Sequence, residues 1–301
     1  MSYALLFSGQ GTQHPAMLPW LADDAIVRSM CVQLAIDDWR GALADPEWAG
    51  RNSNAQLLLT SLALAAWGQL APRVPPPAAV AGYSVGELAA FSAAGVIDPG
   101  VATALAPQRA EAMDRCAAHA PGGLLAVGGL PEQHLEQLRI EAGLELAIRN
   151  GNASVVLGGP VAALDKAEQM AMAAGAHCTR LRVNVASHTS WMREAAKSFF
   201  QTLAQVPFRA PRVVLFSNTG ERMRDASSAR TALAAQIAQT VRWDECMENI
   251  MARQVRCVLE VGPGQALARM WNQRYPTVPA RACDDFRSVA AIAAWLNSHA
   301  D

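Results

Sequence analysis

Ser84 stands out as a candidate nucleophile because of what flanks it. A short apolar run, Ala78 to Ala81, leads into Gly82-Tyr83-Ser84-Val85-Gly86, and a helical pattern from Glu87 to Phe91 follows at once. Strand, tight turn and helix around a G-x-S-x-G pentapeptide is the sequence form of a nucleophile elbow. Two glycines at these positions let strand and helix approach closely while the serine takes a strained backbone conformation between them. The helix start also points unpaired N–H groups and a positive dipole end at any oxyanion that forms on the serine's substrate. The pentapeptide alone also occurs in ordinary loops, so the remainder of the chain has to supply a base and an oxyanion donor.

Of the six histidines, His188 differs in lying where a strand pattern ends and a helix pattern begins, in Asn184-Val185-Ala186-Ser187-His188-Thr189. A glycine-rich turn, Ser8-Gly9-Gln10-Gly11-Thr12-Gln13, directly follows the apolar strand 3–7, which puts it at the sheet edge where α/β folds bind ligands. A helix opening at Asp98-Pro99-Gly100 carries Gln108, Arg109, Met113 and Arg115. Taken alone, Arg109 reads as a solvated surface group or a structural ion pair.

The 301 residues are enough for one large domain, alone or with a smaller one, and 51% of them are apolar with a formal net charge of −1. That balance points to neither nucleic acid nor a membrane surface as partner. Six cysteines are scattered with no C-x-x-C spacing, suggesting neither a metal site nor a redox pair and fitting a reducing cytoplasm. No cofactor is implied. The apolar start at Tyr3 to Phe7 is too short for a signal peptide, and the uncharged stretch 52–72 contains Asn54, Gln56, Thr60, Ser61 and Gln69, so it is expected to be a buried core helix.

Helical patterns are expected at about 16–45 and 54–71, with Arg73-Val74-Pro75-Pro76-Pro77 as a rigid connector into the elbow strand. From about 122 to 184 the order is strand, helix, strand, strand, helix, strand, the ferredoxin-like succession. A strand at 213–217, helices at about 227–239 and 243–254, a last strand at 256–261 and further helix complete the chain. The expected fold is α/β: a doubly wound, mostly parallel sheet in a hydrolase-like large domain, 1–121 and 185–301, with an inserted small ferredoxin-like α+β domain at 122–184. The turns at 8–13, 82–86, 218–220 and 262–264 all leave carboxyl ends and should line one crevice.

Taken together these stretches resemble malonyl-CoA:acyl-carrier-protein transacylases and the related acyltransferase domains of fatty acid and polyketide synthases. The resemblance runs nearly end to end. It rests on Phe7-Ser8-Gly9-Gln10-Gly11-Thr12-Gln13, Gly82-Tyr83-Ser84-Val85-Gly86-Glu87, Gln108-Arg109 with Met113, Ala186-Ser187-His188, Val241-Arg242-Trp243 and Glu260-Val261-Gly262-Pro263-Gly264, in family order. It implies that Ser84 forms a malonyl ester while His188 moves the proton, with the main-chain carbonyl of Gln236 orienting the histidine. It implies an oxyanion hole from the N–H groups of Gln10 and Val85, worth roughly 3 kcal/mol per donor. Arg109 would then grip the free malonyl carboxylate, with Gln56 beside it, and Tyr83, Met113 and Asn150 would line the acyl pocket. The implied partners are malonyl-CoA and a carrier protein bearing a phosphopantetheine-type thiol, with Arg180, Arg182 and Arg193 as candidates for docking it.

Three departures bear on the acceptor. Tyr83 replaces the family's usual histidine, the loop Asn150-Gly151-Asn152-Ala153-Ser154 is about two residues short of the family's and lacks its following glutamine, and Val185-Ala186-Ser187 is not the pattern most associated with malonyl in synthase domains. The first two are more similar to the malonyltransferase (epsilon) subunit of biotin-independent malonate decarboxylase than to the housekeeping enzyme of fatty acid or polyketide synthesis. A serine esterase built on the same elbow is a competing expectation, weakened by Arg109 and by the lack of an obvious acid-then-histidine order. A non-catalytic scaffold that kept the fold is another.

Overall fold

The computed structural model describes residues 2–300. Its strands are β1 (Tyr3–Phe7), β2 (Ala79–Gly82), β3 (Gly122–Gly128), β4 (Glu145–Gly151), β5 (Ser154–Pro160), β6 (His177–Arg180), β7 (Val214–Phe216), β8 (Arg222–Met223), β9 (Val241–Arg242), β10 (Cys257–Val261) and β11 (Ala280–Ala282). They form two sheets, ordered β11-β10-β1-β2-β7-β8 and β6-β3-β5-β4-β9. In the first, β1 pairs in parallel with β2 and β10, β2 with β7, and β10 with β11; only β8 runs antiparallel. The second is antiparallel over β3 to β6, and helices Glu132–Ala142 and Val161–Ala173 complete the ferredoxin-like succession.

Alternation along β1 shows why the large sheet is covered on both faces. Tyr3, Leu5 and Phe7 pack on one side with the helix Asn52–Leu70, while Ala4 and Leu6 face Trp243 and Trp271 on the other. That second face also receives Leu124, Ala147, Ile148 and Val156 of the small sheet, so the two sheets share an apolar layer. The small sheet's far side closes on its own two helices through Leu125, Leu135, Leu157 and Leu164. Strand β9 belongs in sequence to the C-terminal part of the chain yet pairs in parallel with β4, tying the two units by backbone hydrogen bonds as well as by side chains.

The helix Asn52–Leu70 is buried on nearly all sides, with Leu58, Leu62, Ala65, Ala66 and Leu70 fully covered. No helix among the described residues is long and apolar enough to cross a membrane.

Several boundaries differ from the sequence expectation for identifiable reasons. The stretch 16–45 is not one helical pattern: helix occupies only Ala25–Leu34 and Trp39–Ala42, and a further short helix follows at Pro46–Gly50. Asp24, Asp38 and Asp45 each cap a new start by accepting backbone N–H bonds from the residues that follow, because aspartate competes well for helix N-termini. The last strand of the succession expected to run to about 184 ends at Arg180, although Leu181 still donates to Leu124. Strand β11 lies where only helix was expected; its sequence, Ala-Arg-Ala, carries little strand propensity, and pairing with β10 decides its state.

Candidate active site

The elbow is built by backbone contact. A Cβ on Gly82 would lie 2.3 Å from the carbonyl of Gly86, and one on Gly86 would lie 2.3 Å from that of Phe7. Nothing larger than hydrogen fits at either place. Between them Ser84 has φ +55°, a left-handed conformation that side-chain-bearing residues adopt at a cost of order 1–3 kcal/mol. His188, from the loop before helix Arg193–Ala204, shares this feature with φ +65°. The two strained residues face each other, with Ser84 Oγ 2.8 Å from His188 Nε2.

The other ring nitrogen settles the tautomer. Nδ1 lies 2.6 Å from the main-chain oxygen of Gln236, which can only accept, so Nδ1 carries the proton and Nε2 is free to accept from Ser84. Burial, then the positive charge of Arg109, push the His188 pKa down to about 3, against the pull of the Gln236 carbonyl. The histidine therefore waits as a neutral base.

Arg109 is 1% exposed on helix Pro99–His119. No carboxylate of the described residues lies within ion-pairing distance of it. Its donors reach neutral oxygens instead: Gln56 Oε1 at 2.8 Å and Gln236 Oε1 at 3.3 Å, while Nε is buried without a partner. Gln56 is held by Asn52 at 2.7 Å and touches the Met113 sulfur at 3.5 Å. Burial lowers the Arg109 pKa to about 10, with Glu87 opposing, so the group stays positive at neutral pH. An unpaired buried guanidinium is expensive unless an anion arrives.

At the elbow the Val85 N–H, at the start of helix Gly86–Ala93, has no acceptor among the described residues; nor has the Gln10 N–H in the turn after β1. The Gln10 side-chain nitrogen is likewise buried and unpartnered. The glycine-rich turns converge here. A Cβ on Gly9 would lie 2.8 Å from the Tyr83 carbonyl, one on Gly262 2.9 Å from the Ser8 hydroxyl, and one on Gly264 2.7 Å from Thr12. Tyr83 packs edge-on to Trp243, ring centres 5.2 Å apart, and donates to Asn150 Oδ1 at 3.1 Å, joining the elbow to the small sheet. Burial pushes its hydroxyl pKa up.

Ser84, His188, Arg109, Gln56, Met113 and Gln236 thus form one connected group, while Tyr83 and Asn150 meet at the junction of the two sheets. Arg180 is engaged elsewhere, paired with Asp165 at 2.6 Å and Glu168 at 2.9 Å. Arg182 is exposed, and Arg193 borders a cavity of about 460 Å³ shared with His188, Thr219 and Arg242. Two residues went unmarked as site residues in the sequence. Asn218, fully buried after β7, accepts the Ser84 N–H at 2.7 Å through Oδ1, and its own N–H donates to Glu87 Oε1 at 2.6 Å. The signal was present: a polar residue at the carboxyl end of a parallel strand beside the elbow strand.

A family model described as an acyl transferase domain matches residues 4–296. The chain is 34% identical over 289 residues to the malonyl CoA-acyl carrier protein transacylase of Mycobacterium tuberculosis, covering 93% of this chain and 95% of that one. Among solved structures it is similar to the acyl-carrier-protein S-malonyltransferase of Burkholderia pseudomallei, with TM-score 0.88, 29% identity and coverage of 98% and 100% of the two chains. It is also similar to a malonyl-transacylase solved with a type II PKS acyl-carrier protein, with TM-score 0.89, 27% identity and coverage of 98% and 99%.

Proposed function

The chain belongs to the acyl transferase domain family and is an acyltransferase, and from that premise we propose that it moves malonyl from coenzyme A to a carrier-protein thiol by a ping-pong route through Ser84. One observation carries the choice of acyl group: Arg109 is buried beside the Ser84–His188 pair, positively charged, and among the described residues hydrogen-bonded only to neutral amide oxygens. An acyl group with a free carboxylate supplies the anion this guanidinium lacks, by two charge-assisted bonds.

In the first half-reaction Ser84 Oγ attacks the thioester carbonyl as its proton passes to His188 Nε2. The Val85 and Gln10 N–H groups receive the oxyanion. The carbon–sulfur bond breaks, and the departing coenzyme A thiolate takes the proton from His188. A phosphopantetheine-type thiol then enters, gives its proton to His188, attacks the malonyl ester and releases Ser84 with that proton restored. The Gln236 carbonyl steadies the imidazolium in between. In this scheme residues 1–121 and 185–301 supply every reacting group, and the small unit, 122–184, closes the acyl pocket through Asn150. Tyr83 in place of the family's usual histidine and the shorter 150–154 loop are what support the carrier subunit of malonate decarboxylase as acceptor over the carriers of fatty acid or polyketide synthesis.

Intact-protein mass measurement after brief exposure to malonyl-CoA tests the reading. Wild type should gain one malonyl group and Ser84→Ala none; a malonyl adduct persisting in the variant overturns the mechanism. Arg109→Ala removes two charged hydrogen bonds, each worth about 1.5–3 kcal/mol, so malonyl transfer should fall at least about 100-fold while acetyl transfer changes little. A chase with an ordinary phosphopantetheine carrier and one bearing the phosphoribosyl-dephospho-CoA group separates the two acceptors.

A further inference from the structure

The elbow's strain has to be held by something, and the hydrogen bonds around Ser84 show what holds it. The peptide before Ser84 is fixed at both ends: its carbonyl, from Tyr83, accepts the Gly86 N–H at 3.0 Å, and its N–H, from Ser84, donates to Asn218 Oδ1 at 2.7 Å. The peptide after Ser84 has its carbonyl bonded to the Glu87 N–H at 3.0 Å. What remains is the Val85 N–H. The one side chain that takes part in this pinning is Asn218, and φ at Ser84 cannot relax toward the ordinary negative region without breaking the bond to it.

Asn218 is itself held on every side. Its amide nitrogen donates to the Gly82 carbonyl at the end of β2, its backbone N–H donates to Glu87 Oε1 at 2.6 Å, and its carbonyl accepts the Arg242 N–H of β9 at 2.8 Å. Glu87 is fully buried, and its second oxygen has no hydrogen-bond partner among the described residues. Burying a carboxyl that uses half of its capacity costs stability unless it performs a task. The task visible here is to seat Asn218.

We propose that Asn218, seated by Glu87, is a positioning residue that locks Ser84 in its left-handed conformation and so aims its hydroxyl at His188 and the Val85 N–H at the oxyanion. What Asn218 needs from Glu87 is one acceptor atom, not a charge. The Glu87 carboxyl, lifted by burial to about 8 against the pull of the Asn218 N–H, Ser217 and Arg109, is mostly uncharged at neutral pH, which agrees with that requirement.

The proposal rests on Ser84 being the nucleophile, and its test uses two readouts so that either reading can fail alone. One is the rate at which a fluorophosphonate labels Ser84, which needs the serine and its oxyanion donors but no malonyl. The other is kcat and KM for malonyl transfer. Asn218→Ala should slow both labelling and kcat about 100-fold, the loss typical of a misplaced oxyanion donor, with KM moved less than about threefold since Arg109 is untouched. Glu87→Gln and Glu87→Leu provide a second test that does not depend on Asn218→Ala folding. Both replace the ionisable carboxyl at similar volume, and only glutamine keeps the acceptor. Glu87→Gln should stay within about threefold of wild type and Glu87→Leu should fall about tenfold, a smaller loss because Asn218 keeps its other bonds. Equal rates for the two Glu87 variants, or Asn218→Ala labelling at the wild-type rate, overturns the relay. A wild-type enzyme that labels but accepts no malonyl overturns the proposed substrate and leaves the relay to be judged on labelling.

Discussion

At the scale of single residues, the site depends on a positive group sitting close to a base. Arg109 is the second largest cause, after burial, of the low His188 pKa. A base acts only when unprotonated, so rate is lost as pH falls through its pKa. With that pKa near 3, kcat/KM for acylation should stay flat from neutral pH down to about pH 5, where a histidine of ordinary pKa 6.5 would already have lost most of its activity. In Arg109→Ala the positive neighbour is gone, and the residual acyl-transfer activity should show an acid limb moved upward toward 6.5. A pH–rate profile of both proteins, taken within their stable range, checks the sign. A wild-type limb near 6.5, or a limb that moves downward in the variant, contradicts the assignment. The same coupling suits the reaction. Once the substrate's carboxylate neutralises Arg109, His188 becomes easier to protonate at the moment it must take the serine's proton.

At the scale of elements, the elbow works because two glycines let a strand and a helix touch, and this is testable by contrast. Gly86→Ala drives a methyl into the Phe7 and Ser8 carbonyls, 2.3 and 2.7 Å away, neither of which can swing aside. It should cost at least about 3 kcal/mol. Gly68→Ala, at the exposed last turn of helix Asn52–Leu70 with nothing within 4 Å, should instead stabilise by about 0.5–1 kcal/mol. Thermal melts of the two variants should move in opposite directions; a neutral Gly86→Ala would mean that the close approach is not required. These elements also show what a sequence can reveal. Ser84 with its two glycines, the following helix and the β1 turn are local patterns, so the elbow and the mostly parallel character of the sheet were readable in advance, though not the order of its strands. The environment of Arg109 was not, because whether an arginine is solvated or buried is decided by helices packed from elsewhere in the chain. The turn that carries Asn218 was legible as part of the crevice, but its bond to Glu87 was not, because the two lie 131 positions apart in the chain. Strand β11 and the breaks in 16–45 depended on pairing and on capping that periodicity does not register.

At the scale of the whole molecule, placing uncharged carboxyls inside the fold sets how stability varies with pH. Glu87 and Glu260 are both fully buried, their pKa values raised from 4.5 to about 8 and about 7, chiefly by burial. Above pH 4.5 the unfolded chain has given up protons that the native state still holds, so these two groups contribute stability that is lost as pH rises toward their folded pKa values. His188 acts in the opposite sense over a lower window. The unfolded chain takes up its proton below 6.5 and the native state only near 3, so stability falls as pH falls through that range. Above pH 6.5 the histidine no longer opposes the carboxyls. Near pH 9 the buried thiols of Cys246 and Cys283, whose pKa values burial raises well above 9.0, add a further loss in the same direction. The melting temperature should therefore be highest near pH 4.5 to 5, where the one histidine still balances the two carboxyls, and fall by several degrees by pH 8.5, at roughly 2 °C per kcal/mol for a chain of this size. Glu87→Gln removes one of the two responsible groups and should visibly flatten that decline. A melting temperature that rises from pH 6 to 8.5, or a Glu87→Gln slope identical to wild type, would show that these carboxyls are ionised inside the fold. The hydrogen bond that seats Asn218 would remain, since Glu87 Oε1 accepts the Asn218 N–H in either protonation state.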